Sequence, residues 1–230
     1  MNMVEIFAVN IKEEISKGQI IRFVNSISNE KRKRIARFHF NEDFLRSLYG
    51  EIIVRLQIIK KIGSSNQCIC FKNNEYGKPF VEGIADFEFN ISHAGDWVVC
   101  AIGEKSVGID IEKIMDINMD IAENFFACEE CEVLMEKTEE QKNGYFFDLW
   151  TLKESYIKWA GKGLSIPLNS FCFIKKGEEF IIDSGKQENI KFRQYDIEEG
   201  YKLAVCSEEE SVEEVKIIRL KDIRKEDYSW

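Results

Sequence analysis

The sequence contains only two prolines and two histidines among its 230 residues, and it has no low-complexity tract. Apolar residues make up 44% of the chain, which supports a folded core and excludes a disordered protein. No hydrophobic run approaches the roughly 20 residues that cross a bilayer. The first residues also lack the basic and apolar segments of a secretory signal. We therefore expect a globular protein of the cytoplasm that has no membrane partner.

The sequence also lacks a regular set of paired cysteines. Its seven cysteines are an odd number scattered through apolar segments, as expected for reduced thiols rather than a disulfide framework. Cys128 and Cys131 have the spacing of half a zinc site, but no second pair and no nearby histidine complete it. An excess of positive charge is missing too, since the formal net charge of −9 argues against general nucleic-acid binding.

Hydrophobic periodicity predicts alternating strands and helices along the chain. The predicted helices cover residues 11–23, 41–59, 117–136 and 145–160, and the long helix that starts at Asn41 ends before Gly63. The predicted strands cover residues 3–9, 68–71, 87–93, 96–102, 106–112, 170–175, 179–183, 190–195, 201–206 and 215–220. The order strand, helix, sheet occurs once in each half without a residue-level repeat. The pattern indicates an α/β fold and suggests an internal duplication.

Residues 106–112 carry the first chemical signal. Three apolar residues alternate there with Gly108, Asp110 and Glu112, which predicts a strand with one buried face. The two carboxylates then share the other face, about 7 Å apart along the strand, and can converge on one hydrated Mg²⁺. The alternative is an exposed strand face that carries two acids for solubility.

A basic run at residues 30–38 supplies five cationic side chains just before the long helix, whose start holds Arg46 and Ser47. We interpret the run and Arg46 as a cradle for an anion. The alternative is a solvated helix face, which is the usual role of a basic run.

Three further positions stand out. Lys78 lies at the apex of a turn before Pro79, and His93 ends a predicted strand beside a turn of small residues. Glu154 and Lys158 are four residues apart on an aromatic-rich helix and are therefore neighbours on one side of it. A surface ion pair would explain that spacing too, but a carboxylate on a deeply packed helix needs a partner.

Together these segments resemble 4'-phosphopantetheinyl transferases. Gly-Ile-Asp-Ile-Glu at 108–112 is followed by Trp-Thr-Leu-Lys-Glu-Ser at 150–155 and by Lys158. Gly-Lys-Pro at 77–79 and Phe-Asn-Ile-Ser-His at 89–93 are similar to the family's earlier motifs and occur in the expected order. The resemblance covers residues 28–206, and the chain length favours the large, surfactin-synthetase-activating (Sfp-like) class.

The resemblance implies an enzyme that moves the phosphopantetheine arm of coenzyme A onto a serine of an acyl or peptidyl carrier protein. The reaction would depend on Mg²⁺ and release adenosine 3',5'-bisphosphate. The implied fold is two similar α/β subdomains in a pseudo-twofold arrangement around coenzyme A, sufficient as a monomer. The first half, 1–104, would contact the nucleotide, and the second, 105–230, would hold the Mg²⁺ site and a carrier-docking surface.

Residue-by-residue matching then assigns expected roles. By this matching, Asp110, Glu112 and Glu154 would hold Mg²⁺. Ile111, between the two strand acids, supplies no third ligand from the strand, so the site would depend on Glu154 and water. Glu154 is the first candidate for the general base, a water activated by Glu112 is the second, and Lys158 would meet the pyrophosphate. Residues expected to bind coenzyme A are Lys31, Arg34, Arg46, Ser47, Lys78, Pro79, Ser92, His93, Lys153 and Lys158. Among them, Lys78 and Pro79 would line the adenine pocket, whereas Ser92, His93, Lys31, Arg34 and Arg46 would face the nucleotide end, especially its 3'-phosphate.

Two alternatives remain at this point. Apolar residues of 161–173 are candidates for docking a carrier helix, although core packing explains them equally well. An inactive module that only binds coenzyme A or a carrier would keep the same fold. That module is expected to lose an acidic ligand, yet all three acids are present.

Overall fold

The chain folds as a mixed α/β protein in a computed structural model that describes residues 3–177, 179–185, 189–224 and 227. The predicted outer ends of the two halves, at residues 1 and 230, lie outside the described residues. The α-helices are α1 (Lys17–Ser26), α2 (Asn29–Ile35), α3 (Asn41–Ile62), α4 (Asp120–Phe125), α5 (Cys128–Met135) and α6 (Glu139–Ala160). The strands are β1 (Met3–Asn10), β2 (Phe71–Asn73), β3 (Pro79–Val81), β4 (Glu88–Ala94), β5 (Trp97–Gly103), β6 (Val107–Lys113), β7 (Cys172–Lys176), β8 (Glu179–Asp183), β9 (Lys191–Tyr195), β10 (Tyr201–Ser207) and β11 (Ser211–Ile217).

The same order of elements occurs twice along the chain. Each half begins with a strand, continues with three helices and a small hairpin, and ends with two antiparallel strands. In each half the first strand pairs with the last, giving the antiparallel orders β1-β5-β4 and β6-β10-β9, and β11 joins β1 in parallel. This repeat confirms the predicted α/β fold of two similar subdomains.

The two sheets pack face to face between the two long helices. Alternate residues of β1, β5, β6 and β10 fill the space between the sheets, for example Ile6 and Ile109, which are fully buried. The other faces of the sheets pack under α3 and α6. Burying each such aliphatic side chain contributes about 1.5–3 kcal/mol, so both helices are held by their apolar faces.

The long helices have clear local stop signals. Gly63 and Gly161 follow α3 and α6 in the left-handed conformation, with φ of 71° and 67°, and this conformation favours glycine. Helix α6 starts earlier than predicted because Thr138 and Gln141 form a capping box ahead of Glu139. Helix α3 starts at Asn41, which is its first helical residue rather than its cap.

Several predicted bounds are corrected. The predicted helix 117–136 is two helices, because Phe126 is extended and packs its ring 4.9 Å from that of Phe146. Helix α1 starts only after its cap Ser16, β2 follows a short 3₁₀ turn at 66–68, and β11 starts before residue 215. No helix in the described part of the chain combines the length and apolar character needed to span a membrane.

Candidate active site

Asp110 lies on the face of β6 that is turned toward α6. Val107, Ile109 and Ile111 are fully buried between the sheets, as the alternation predicts, so Gly108 and Asp110 face the helix. Asp110 is only 3% exposed, which excludes the solubility role for this acid. On the corresponding face of β1, Phe7 and Val9 pack under α3, and the one acid, Glu5, is paired with Lys61 at the end of that helix.

Gly108 sets the spacing between β6 and α6. A Cβ atom at this position would lie 1.9 Å from the Ser155 carbonyl oxygen and 2.4 Å from the Trp159 nitrogen. Both contacts are with backbone, so only glycine permits this approach. The close crossing holds the last turns of α6, which carry Glu154 and Lys158, above the acids of β6.

Asp110 is bound by side chains from two other elements. Lys158 Nζ of α6 lies 2.6 Å from Asp110 Oδ1, and Ser92 Oγ of β4 donates to the same oxygen at 2.9 Å. Lys158 Nζ also donates to Ser92 Oγ at 3.1 Å. Because β4 belongs to the first half and β6 and α6 to the second, the site lies where the halves meet.

Glu112 and Glu154 both lie close enough to Asp110 to feel its charge. Burial, together with repulsion by Asp110 and Glu154, raises the pKa of Glu112 to about 7, although Lys158 opposes the shift. Burial, and then repulsion by Asp110, raises the pKa of Glu154. Burial raises the pKa of Asp110 although Lys158 and Ser92 favour its ionised form. The three carboxylates therefore repel one another in a poorly solvated space.

The chemical character of these carboxylate donors fits a divalent cation. Asp110 Oδ2 is buried and has no hydrogen-bond partner among the described residues, and carboxylate oxygens are the ligands that Mg²⁺ prefers. Across residues 3–177, 179–185, 189–224 and 227, however, no group of three acidic, histidine or cysteine side chains is already closed around a metal position. Lys158 is paired with Asp110 Oδ1, so a cation bound by this carboxylate would have to displace that amine or use Oδ2.

His93 and Arg46 lie together beside the ion pair. Partial desolvation lowers the pKa of His93, and the cations Arg46 and Lys158 lower it further, although the residue keeps an exposed face. Arg46 donates to the Gly95 carbonyl oxygen at 2.7 Å and to Asp43 Oδ1 at 2.5 Å. One imidazole group and one guanidinium group, each with some exposed surface, thus border the acidic centre.

Residues of the basic run differ in environment: one pairs with an internal acid and others are exposed to solvent. Lys31 Nζ lies 3.6 Å from Glu51 Oε2 and its side chain is only 15% exposed, so it neutralises an internal acid. Burial lowers the pKa of Lys31, and Glu51 opposes that shift. Arg34 is exposed, and Ser47 is half-buried near the start of α3. Arg34 is therefore placed better than Lys31 to meet an anion.

The structure contradicts the prediction that Lys153 contacts coenzyme A. Its side chain is fully buried on the opposite side of α6 from Glu154, with Nζ 2.7 Å from Glu130 Oε2. Nζ also donates to the carbonyl oxygens of Leu168 and Phe171 at 2.9 and 2.8 Å. Burial lowers the pKa of Lys153. The structure thus uses this lysine to join α5, α6 and the segment before β7.

Two functional positions were missed by the sequence analysis, although both lie inside its motifs. Asn90 is buried in β4, and its Oδ1 accepts a 3.0 Å hydrogen bond from the Ile109 N–H of β6. Trp150 donates a side-chain hydrogen bond to Glu112 and orients that carboxylate. The predicted docking segment 161–173 is divided: Leu168, Phe171 and Phe173 are buried in the core, whereas Leu164 is 75% exposed.

Comparison with known sequences decides the family. A profile described as "4'-phosphopantetheinyl transferase, N-terminal" matches residues 14–105, and one described as "4'-phosphopantetheinyl transferase superfamily" matches residues 106–206. The chain belongs to the 4'-phosphopantetheinyl transferase superfamily. The division of the two profiles follows the repeat seen in the fold.

Curated relatives place this transferase in the Sfp-like class, as predicted. It is 41% identical over 206 residues to a 4'-phosphopantetheinyl transferase of Bacillus subtilis, covering 88% of this chain and 92% of the relative. It is 41% identical over 220 residues to the transferase gsp of Aneurinibacillus migulanus, covering 95% and 92% of the two chains. It is 38% identical over 205 residues to the transferase Sfp of Bacillus subtilis strain 168, covering 88% and 92%. The predicted enzyme class is confirmed.

Proposed function

We propose that this transferase moves phosphopantetheine from coenzyme A to a serine of an acyl or peptidyl carrier protein, with Mg²⁺, and releases adenosine 3',5'-bisphosphate. The observation that carries the proposal is the convergence of three carboxylates and one lysine at the junction of the halves. Such a group fits a diphosphate bridge, whose charge demands both a divalent cation and an ammonium group.

Asp110, Glu112 and Glu154 would hold the Mg²⁺. The ion, when bound, supplies positive charge that neutralises the phosphate oxygens. Lys158 would exchange its contact with Asp110 for a pyrophosphate oxygen, which accounts for a lysine that spans the acid and Ser92. Trp150 would keep Glu112 directed toward the centre.

The chemical step forms a bond between the carrier serine oxygen and the β-phosphorus while the bond from that phosphorus to the bridging oxygen breaks. The departing electron pair remains on the phosphate of adenosine 3',5'-bisphosphate. Glu154 would accept the serine proton, because its raised pKa makes it a better base than an ordinary glutamate. A water activated by Glu112 is the second candidate for this role.

The first half would bind the nucleotide. His93 and Arg46 are the preferred contacts for the 3'-phosphate, with Arg34 beside them and Ser47 as a polar neighbour. Ser92 would remain partner to Asp110, and Lys31 would act mainly through Glu51. Pro79 and the carbon chain of Lys78 would line the base pocket.

The remaining roles follow from the division at residues 104 and 105 that the sequence predicts. The second half would dock the carrier through the surface around Leu164, and a single chain would suffice because both halves contribute to one site. Seven cysteines that form no disulfide among the described residues fit a reducing cytoplasm.

The test is mass spectrometry of apo carrier proteins incubated with the enzyme, coenzyme A and Mg²⁺. We expect one phosphopantetheine to be added per carrier, and no addition when EDTA replaces Mg²⁺. A panel should include fatty-acid, polyketide and nonribosomal-peptide carriers at matched concentration. Binding of coenzyme A without modification of any carrier would instead support the inactive module.

A further inference from the structure

The turn between β2 and β3 reaches across the molecule to the end of the catalytic helix α6. Its residues Asn74 and Lys78, here called the hairpin clasp, belong to the first half, whereas α6 belongs to the second. Asn74 Nδ2 donates to the Gly161 carbonyl oxygen at 2.8 Å. Asn74 Oδ1 accepts from the backbone N–H groups of Tyr76 and Lys78 at 2.9 and 2.8 Å, which fixes the turn. One asparagine thus joins the turn to the helix cap.

Lys78 continues the same contact. Its ammonium donates to the Trp159 carbonyl oxygen at 3.3 Å, the Val107 carbonyl oxygen at 3.1 Å and Ser106 Oγ at 3.2 Å. Ser106 Oγ itself donates to the Trp159 carbonyl oxygen at 2.7 Å. Burial lowers the pKa of Lys78, and Glu88 opposes that shift. The amine therefore joins the start of β6 to the last turn of α6.

An ammonium group has three donors, and all three of the Lys78 donors have protein acceptors. The position is also favourable electrostatically, because a cation at a helix C-terminus meets unpaired carbonyl groups and the negative end of the helix dipole. A phosphate or a purine nitrogen could be contacted by this amine only after one of those bonds is broken. The contacts thus favour a structural use of the Lys78 amine over a ligand contact.

We infer that Asn74 and Lys78 are positioning residues of the transferase, which fix the last turn of α6 against β6. That turn holds Lys158, one turn after Glu154, and β6 holds Asp110 and Glu112. The inference rests on the proposed function, because the clasp would keep those four side chains aligned for the proposed reaction. It also places the nucleotide-facing hairpin in direct contact with the catalytic helix.

The experiment compares Lys78→Met and Asn74→Ala with Lys72→Met, a matched control on the same hairpin whose exposed ammonium pairs with Glu82. We expect both clasp variants to lower kcat at least 10-fold, since a misplacement of about 1 Å costs up to 100-fold, with KM for coenzyme A within about threefold. The control should retain both constants. A rise in KM with unchanged kcat in Lys78→Met would overturn the inference and make Lys78 a ligand residue.

A second measurement separates this inference from the proposed function. Amide hydrogen exchange on the enzyme without substrate should be faster at residues 157–161 in the clasp variants than in wild type and in Lys72→Met. Unchanged exchange there would contradict the clasp whatever the activity. Faster exchange in an enzyme that modifies no carrier would keep the clasp and reject the proposed reaction.

Discussion

Lys158 Nζ lies 2.6 Å from Asp110 Oδ1, so the last turn of α6 is joined to the middle of β6 by an ion pair. Ser92 of β4 shares the same carboxylate oxygen at 2.9 Å. These three residues therefore link the catalytic helix, the acidic strand and the edge strand of the other half. Because Asp110 is buried, this pair is screened little by solvent, and a ligand that separates it must offer equivalent charges.

The first prediction concerns Asp110→Asn, which keeps the size of the side chain but removes its charge. We expect transfer to fall at least about 100-fold, because a preorganised charge at the reacting centre is worth that much or more. Mg²⁺ affinity, measured by calorimetry with coenzyme A present, should fall as well. Asp183→Asn, an exposed change on β8, is the control and should leave transfer intact. A variant with wild-type Mg²⁺ affinity would remove Asp110 from the ligand set.

The second prediction is a pH dependence of stability without metal. The pKa of Glu112 is about 7 in the folded protein and 4.5 ordinarily, so the folded state binds the proton more tightly. Its stabilising contribution is therefore present below pH 4.5 and is lost as the pH rises to about 7. The loss would reach at most about 3 kcal/mol, since one pKa unit corresponds to about 1.4 kcal/mol.

Urea unfolding from pH 5 to 8 measures this dependence, with Glu112→Gln as the comparison. The variant should show a shallower fall in the free energy of unfolding than wild type. Added Mg²⁺ should stabilise wild type more at pH 8 than at pH 5, because the ion competes with protons for the carboxylates. Equal slopes in the two proteins would show that Glu112 does not control the titration.

The sequence predicted which faces of β6 and α6 carry the central residues, because the governing pattern there is local. Alternation along residues 106–112 is enough to place Asp110 and Glu112 on one face, and i,i+4 spacing is enough to place Glu154 and Lys158 on one side of α6. The twofold order of elements was readable for the same reason. Tertiary contacts then decided whether those faces met, through the absent Cβ of Gly108.

Predictions failed where a residue's role depends on a distant partner. Lys153 and Lys158 are both lysines on an aromatic-rich helix, and only the buried Glu130 of α5 reveals that Lys153 faces the core. The expected contact of Lys31 with an anion stays a prediction, and the structure adds a partner from α3 that the basic run does not reveal, Glu51, at 3.6 Å from the amine. The break at Phe126 likewise follows from packing on Phe146, which no periodicity encodes.

The third prediction tests the close crossing of β6 and α6 through Gly108→Ala. The new methyl group would meet the helix backbone at Ser155 and Trp159, so α6 must shift and carry Glu154 away from Asp110. We expect a loss of stability of about 1–3 kcal/mol by overpacking and a fall in kcat of about 100-fold. Thermal unfolding and steady-state kinetics measure the two effects.

Gly144→Ala is the matched control on the same helix. A Cβ at Gly144 meets nothing within 4 Å, and alanine favours helix over glycine by up to about 1 kcal/mol. This variant should be as active as wild type and slightly more stable. If Gly108→Ala retained full kcat, the crossing distance would not control the alignment of the catalytic groups.

The fourth prediction concerns the 3'-phosphate of coenzyme A. Desolvation and the nearby Arg46 and Lys158 lower the pKa of His93, so its imidazole is neutral at neutral pH. A bound phosphate dianion would favour the protonated ring, and binding should therefore take up a proton. We expect the preference for coenzyme A over 3'-dephospho-coenzyme A to be greater at pH 6 than at pH 8.

Calorimetric affinities for the two ligands at both pH values measure this preference in wild type, His93→Gln and Arg46→Ala. His93→Gln should reduce the pH dependence to the part that comes from ionisation of the phosphate itself, and Arg46→Ala should weaken binding of coenzyme A more than that of the dephospho form. Arg22→Ala, an exposed change on α1, controls for the loss of one positive charge and should leave the preference unchanged. A pH dependence in His93→Gln as large as that of wild type would place the 3'-phosphate elsewhere, because the ionisation of the phosphate itself is common to both proteins and arginine stays charged over this range.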